Sequence, residues 1–184
     1  MDDQDDRTAA RARDLLGRLG ADTLAHPGGT LLAHLDRVRD RLATWGARPA
    51  LRLAGLCHAA YGTDGFPSAL LPLDRRPELR TVIGTEAEAI VYHYASCDRK
   101  ATYPTLTDHN SPFRDRFTSR TLHPAPRLSR DFAELTAANE LDLAGRDPAF
   151  RERYGPDLLA LFTRFRPLLG EPAWRDCLAV LADA

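Results

Sequence analysis

Lysine is nearly missing from this chain: one, Lys100, stands against 24 arginines. Because the formal net charge is only −1, the bias reads as the mark of a GC-rich genome. A nucleic-acid or membrane surface would call for a basic excess that is not there. No apolar run reaches the roughly 18 residues a membrane span needs. The opening MDDQDDRTAARARD is acidic, which is not the pattern of a leader peptide. Cysteine is scarce as well. Cys57, Cys97 and Cys177 are odd in number, far apart and set among apolar residues, so buried free thiols and a reducing cytoplasm are expected. Also absent are a phosphate-cradling GxxxxGK[ST], a dinucleotide fingerprint, GxSxG, HExxH and a CxxC pair. Aromatic–basic interleaving of the kind that stacks on single strands is lacking too.

What remains is helical. No segment alternates with period two over a convincing length, whereas apolar residues recur at helical spacing throughout. Hydrophobic content of 43% over 184 residues suffices for one core. The expected architecture is an all-α, single-domain helical bundle of about seven helices, with residues 1–6 disordered and 7–184 forming the domain. A first helix is expected from Arg7 to Leu19. Thr30 is placed to cap a second, whose stripe is Leu31, Leu32, Leu35, Val38 and Leu42. A third starts near Pro49 and delivers His58 at its end. Residues 59–80 read as irregular, Gly84 to Ser96 as helix, and the proline-rich stretch 101–128 as a long loop covering a pocket. Helical spacing resumes in DFAELTAANELDLAG and in two apolar helices starting at Pro156 and Pro172. Leu158, Leu159, Phe162, Phe165 and Trp174 exceed what one helix face buries, so a homodimer through this region is one expectation.

The chemistry concentrates around LAGLCHAAYGTDGF. His58 and the upstream His34 project from neighbouring helices, an arrangement suited to a metal site or an acid/base pair. His26, in a His-Pro-Gly-Gly loop, lies eight positions before His34 and reaches the same region. Tyr61 and Thr63 are candidate donors to a bound oxyanion or carboxylate, with Gly62 and Gly65 expected at positive φ. Arg75, Arg76 and Arg99, with Arg114, Arg116 and Arg120 in the loop, are candidate clamps for an anionic substrate. Asn139 sits in an apolar helix, where an amide needs a partner. Asp64, Glu86, Glu88, His93, Asp98, Glu134, Glu140 and Asp142 complete the candidates. His109 and His123 read as solvated loop residues.

From about His26 to Asp142 the chain resembles the HD-domain superfamily, nearest the hydrolase domain acting on guanosine alarmones. LAGLCHA and VIGTEAEAIVYHYASCDR carry that likeness. Where the superfamily has His-Asp, this chain has His58-Ala59, and Asn139 stands where the alarmone hydrolases carry an aspartate. It also resembles an uncharacterised bacterial family in which HAxYGTxxF, IGxxAE, a DR pair and an AN-containing helix recur. The likeness implies an HD-like helical arrangement and a small-molecule enzyme acting on an anionic metabolite. In its metal form, Fe or Mn would be held by His34 and His58, with His26, Asp64 or Asp98 completing the shell, for hydrolysis or oxygenation. In its metal-free form, His58 is the general base while Tyr61, Thr63 and Asn139 position substrate held by His26, Arg75, Arg76 and Arg99. The alternative is a non-catalytic ligand-binding or protein-interaction domain that has lost its metal carboxylates.

Overall fold

Thr30 donates nothing to helix α2 (Leu31–Thr44) but accepts from it: its hydroxyl takes the Ala33 N–H at 3.2 Å, satisfying one orphan donor of the first turn. A computed structural model describes residues 3–108 and 111–182. His109 therefore lies outside the described residues. The stripe Leu31, Leu35, Val38 and Leu42 is buried against α3 (Pro49–Cys57), whose Pro49 occupies the first turn. Gly55 sets how closely these two helices meet. A Cβ there would lie 2.5 Å from Leu42 Cδ1. Alanine is the better helix former by about 1 kcal/mol, yet overpacking outweighs it. Gly55→Ala is expected to destabilise the protein by about 1–3 kcal/mol, read as a lower urea midpoint; a raised midpoint would contradict this close approach.

Helix α1 (Asp3–Arg18) begins four residues earlier than its apolar stripe suggests. Asp5 pairs with Arg52 and Asp6 with Arg39, and acidic side chains suit a helix N-terminus. These contacts correct the expectation of a frayed N-terminal segment for residues 3–6. A two-residue hairpin, β1 (Ala25–His26) and β2 (Gly29–Thr30), turns through Gly28 and Gly29 at positive φ. After α3, the irregular stretch ends at α4 (Arg76–Ile83), followed by α5 (Thr85–Ser96) and the one-turn α6 (Arg99–Thr102). Lys100 stands exposed on that turn, next to Arg99.

Residues 101–128 are not a lid. They hold a hairpin, β3 (Phe113–Asp115) with β4 (Arg120–Leu122), whose first strand is set into the core while its second is exposed. Phe113 is fully buried, stacked on His93 at 3.8 Å and edge-on to Phe132. Asp115 is buried with it, accepting from Tyr92 Oη at 2.8 Å and from the backbone N–H groups of Phe117 and Thr118. Arg116 Nε is spent on the Ala95 carbonyl.

Helix α7 (Pro126–Arg146) runs through the centre, packing on α2, α5, α8 (Pro148–Phe165) and α9 (Glu171–Leu181). Asp147 caps α8 by accepting from Phe150 N at 3.0 Å, so that helix starts eight residues before Pro156 and passes through it. The apolar surplus of the C-terminal helices goes largely inward: Phe162 and Phe165 are fully buried and Leu158 nearly so. The chain is an all-α bundle, with nine helices and two small hairpins among the described residues. No described helix is long and apolar enough to cross a membrane.

Candidate functional site

Four elements converge on one cleft of about 340 Å³. Helix α2 supplies His34, the end of α3 supplies His58, the first hairpin supplies His26, and α7 supplies Asn139 and Glu140. Thr63, Gly65 and Phe66 of the turn after α3, Arg99 of α6 and Phe150 of α8 complete the wall. The three imidazoles form a cluster. His26 stacks on His34 with ring centroids 4.1 Å apart, and His34 meets His58 edge-on at 5.3 Å.

His34 is held at both nitrogens. Nδ1 donates to Asp142 Oδ2 at 2.6 Å, and Nε2 faces Asn139 Oδ1 at 3.1 Å. Asn139 Nδ2 in turn donates to Glu140 Oε1 at 3.2 Å, which orients the amide with its oxygen toward His34. A carboxylate only accepts, so Nδ1 carries the hydrogen of the bond to Asp142. Asp142 is also bound by Arg37, whose Nε and Nη2 reach its two oxygens at 2.7 and 2.9 Å. Burial opposes the charged carboxylate, but the hydrogen bonds from His34 and Arg37 outweigh it and hold Asp142 down at about 2.

His58 is the opposite case. Its Nδ1 donates to the Gly55 carbonyl at 2.8 Å, a bond available because that carbonyl lies at the end of α3. Burial, and then the charge on His34, push His58 down to about 3, so it is neutral with its lone pair on Nε2. Burial and His34 likewise lower His26 to about 4, and its buried Nδ1 has no partner among the described residues. Arg99 lies across from the histidines. Its Nη1 donates to Glu140 Oε1 at 3.1 Å and Nη2 to Tyr94 Oη at 3.4 Å, while Asp64 accepts from its backbone N–H.

The structure therefore brings His26, His34, His58, Thr63, Asn139, Glu140 and Arg99 of the residues singled out from sequence to the cleft, with Asp142 behind His34 and Asp64 on the Arg99 backbone. Tyr61, Arg75, Arg76 and Asp98 lie elsewhere. Tyr61 points to a separate buried cluster, donating to Glu88 Oε1 at 3.0 Å. Glu88 is also gripped by Arg76 and Arg80, whose hydrogen bonds with that of Tyr61 hold it below the usual carboxylate range against the effect of burial. Arg76 further lies 3.8 Å over the Tyr92 ring, and Arg75 pairs with Glu78 at the surface. Tyr61, Arg75 and Arg76 thus serve the fold here, not the cleft. Asp98 caps α6 by accepting from Ala101 N at 3.0 Å and does not line the cleft. Of the two glycines expected at positive φ, Gly62 has it, at 68°, and Gly65 does not. His93 is core, lowered to about 4 by burial.

The metal set expected from His34, His58 and Asp98 is not assembled. Both His34 nitrogens are taken up by Asp142 and Asn139, and Asp98 caps α6 away from the cleft. Among the described residues, no group of three His, Cys, Asp or Glu side chains is placed to hold a metal ion. The donors as arranged do not fit Fe or Mn. The three thiols are buried and raised by that burial to about 12, so each stays protonated. What sequence reasoning missed was the pairing of Arg37 with Asp142. The available signal was spacing: His34 with Arg37 and Asn139 with Asp142 are each three apart on a helix, hence on one face.

Fold and site together define an all-α protein with an imidazole-lined cleft between helices. Residues 15–99 match the model of a family described as a domain of unknown function, DUF6817. That stretch carries His26, His34, His58 and Arg99, while Asn139, Glu140 and Asp142 come from beyond it. No curated protein and no solved structure matches the chain.

Proposed function

We propose that the cleft is the active site of a small-molecule enzyme acting on an anionic metabolite, with His58 Nε2 as general base. The single observation carrying this reading is the tautomer of His58. A buried ring whose Nδ1–H is fixed on the Gly55 carbonyl keeps its other nitrogen unprotonated at neutral pH. The Asp142–His34–Asn139 chain supports it by fixing the His34 ring across the cleft. Arg99 is the group that would bind the anion. The base would abstract a substrate proton or activate water for hydrolysis. No step needs a metal. The arrangement resembles an HD-like scaffold in which Ala59 and Asn139 have replaced carboxylates, and a cytoplasmic location fits three buried free thiols.

The test is a turnover screen of the purified protein against phosphate monoesters and carboxylic esters at neutral pH, run beside His58→Ala. Turnover should fall at least about a hundredfold in the variant, with a melting temperature within a few degrees of the parent. Turnover preserved in His58→Ala would refute the assignment. One observation favours a second reading, a ligand-binding domain without catalysis: His34 is internally satisfied at both nitrogens. In that case anions would raise the melting temperature with no turnover.

A further inference from the structure

The histidine cleft shares a wall with another cavity. Arg99, Glu140 and Phe150 line both, and the second, of about 380 Å³, continues over Tyr103, Tyr154, Leu158 and Leu161. Each alone lies at the low end of the about 300–1,000 Å³ typical of small-molecule sites. The two differ in chemistry. The first presents three imidazoles and the Asn139 amide among apolar residues; the second presents aromatic and aliphatic side chains together with Asp157 and Arg164, with Phe150 and Tyr154 only 4.9 Å apart between ring centroids.

Arg99 stands at the junction. It is always charged, and burial beside Tyr94, Tyr103 and Glu140 does not change that. Glu140 is its one carboxylate partner, and its side-chain bonds to Glu140 and Tyr94 use two of the five guanidinium N–H donors. Beside it, the Tyr103 hydroxyl is buried with no partner among the described residues, its ring centroid 6.0 Å from the guanidinium. An orphaned buried hydroxyl costs about 1–3 kcal/mol unless something bonds it. A donor and a cation therefore meet where the two cavities join.

We infer that the two cavities form one elongated site for an arylalkyl carboxylate, its carboxylate on Arg99 and Tyr103 at the junction and its ring in the second cavity. The carboxylate end then faces the histidine cleft, and the inference rests on reading that cleft as a small-molecule site. A carboxylate is favoured over a point anion because the guanidinium offers a planar fork. An aromatic tail is favoured because its ring meets Phe150, Tyr154 and Tyr103.

Titration calorimetry with phenylpropionate, propionate and inorganic phosphate decides it. Phenylpropionate is expected to bind at least about tenfold more tightly than propionate. Arg99→Gln should weaken both by a similar factor. Leu158→Trp, which fills the second cavity, should remove the preference and leave propionate binding intact. Should that variant not fold, Tyr154→Ala at the exposed side must reduce the preference as well. Equal affinities in the parent, a preference that survives both cavity variants, or tighter binding of phosphate than of either acid would overturn the inference. If propionate binds without a phenyl preference, the elongated site falls and the cleft reading stands. If none of the three anions binds, both fall.

Discussion

Asp142→Ala is expected to destabilise the protein by about 3–5 kcal/mol, because it strips the Arg37 guanidinium of its carboxylate and leaves the buried Nδ1–H of His34 without an acceptor. His34 and Arg37 both spend charge-assisted hydrogen bonds on that carboxylate, whose side chain is 3% exposed. Urea denaturation measures the loss. The cost should shrink in the His34→Ala background, since part of it is the buried Nδ1–H left without a partner. A double-mutant cycle is therefore expected to show coupling of at least about 1 kcal/mol. Additive losses would mean that His34 does not depend on Asp142.

Acid should unfold the protein early. His58 and His93 are buried and neutral in the fold, held at about 3 and about 4 by burial, against 6.5 when exposed. Their folded values are depressed, so between about pH 6.5 and 4 the unfolded chain takes up protons that the folded chain refuses. Stability present above pH 6.5 is then lost as pH falls, at up to about 1.4 kcal/mol per pH unit for each ring. Asp142, held at about 2, works in the same direction lower down, its contribution lost as pH drops below about 4. By pH 4 the two rings together remove up to about 7 kcal/mol, a large share of a total stability of order 5–15 kcal/mol. Denaturant midpoints across pH 7 to 4 provide the measurement. His93→Leu should flatten the slope by one ring's share while leaving the cleft untouched, since His93 packs on Phe113 and Phe132. A midpoint constant down to pH 4.5 would contradict the neutral assignment of both rings.

The helical frame could be read because its signals are local. Thr30 before an apolar stripe announces α2 whatever else the chain does, and Pro49 does the same for α3. The hairpin at 113–122 could not be read that way. Its strands are three residues long, too short for a period to register, and what fixes them is Phe113 fitting between His93 and Phe132. Pro156 misled for a related reason. A proline favours a first turn, but the cap that starts α8 is Asp147, and tertiary packing carries the helix past the lost hydrogen bond.

The site divides along the same line. Histidines are conspicuous, so the imidazole cluster and Asn139 were visible before any fold. Tyr61 lies three residues from His58, yet the chain has left the helix there and the phenol turns to Glu88 instead. Arg37 and Asp142 are 105 positions apart, and no local rule joins them. Leu31, Phe66 and Phe150 line the cleft as unremarked apolar residues that only the assembled fold places.

The scarcity of lysine has a practical side. Lys100 is exposed on α6, one residue from the arginine at the junction of the two cavities. Apart from the chain's α-amine, it is the sole primary amine in the sequence. An amine-directed fluorophore would therefore settle at a single side chain beside the site, with no engineering. Occupancy of the cleft could be followed by the change in emission of a dye placed there by composition alone.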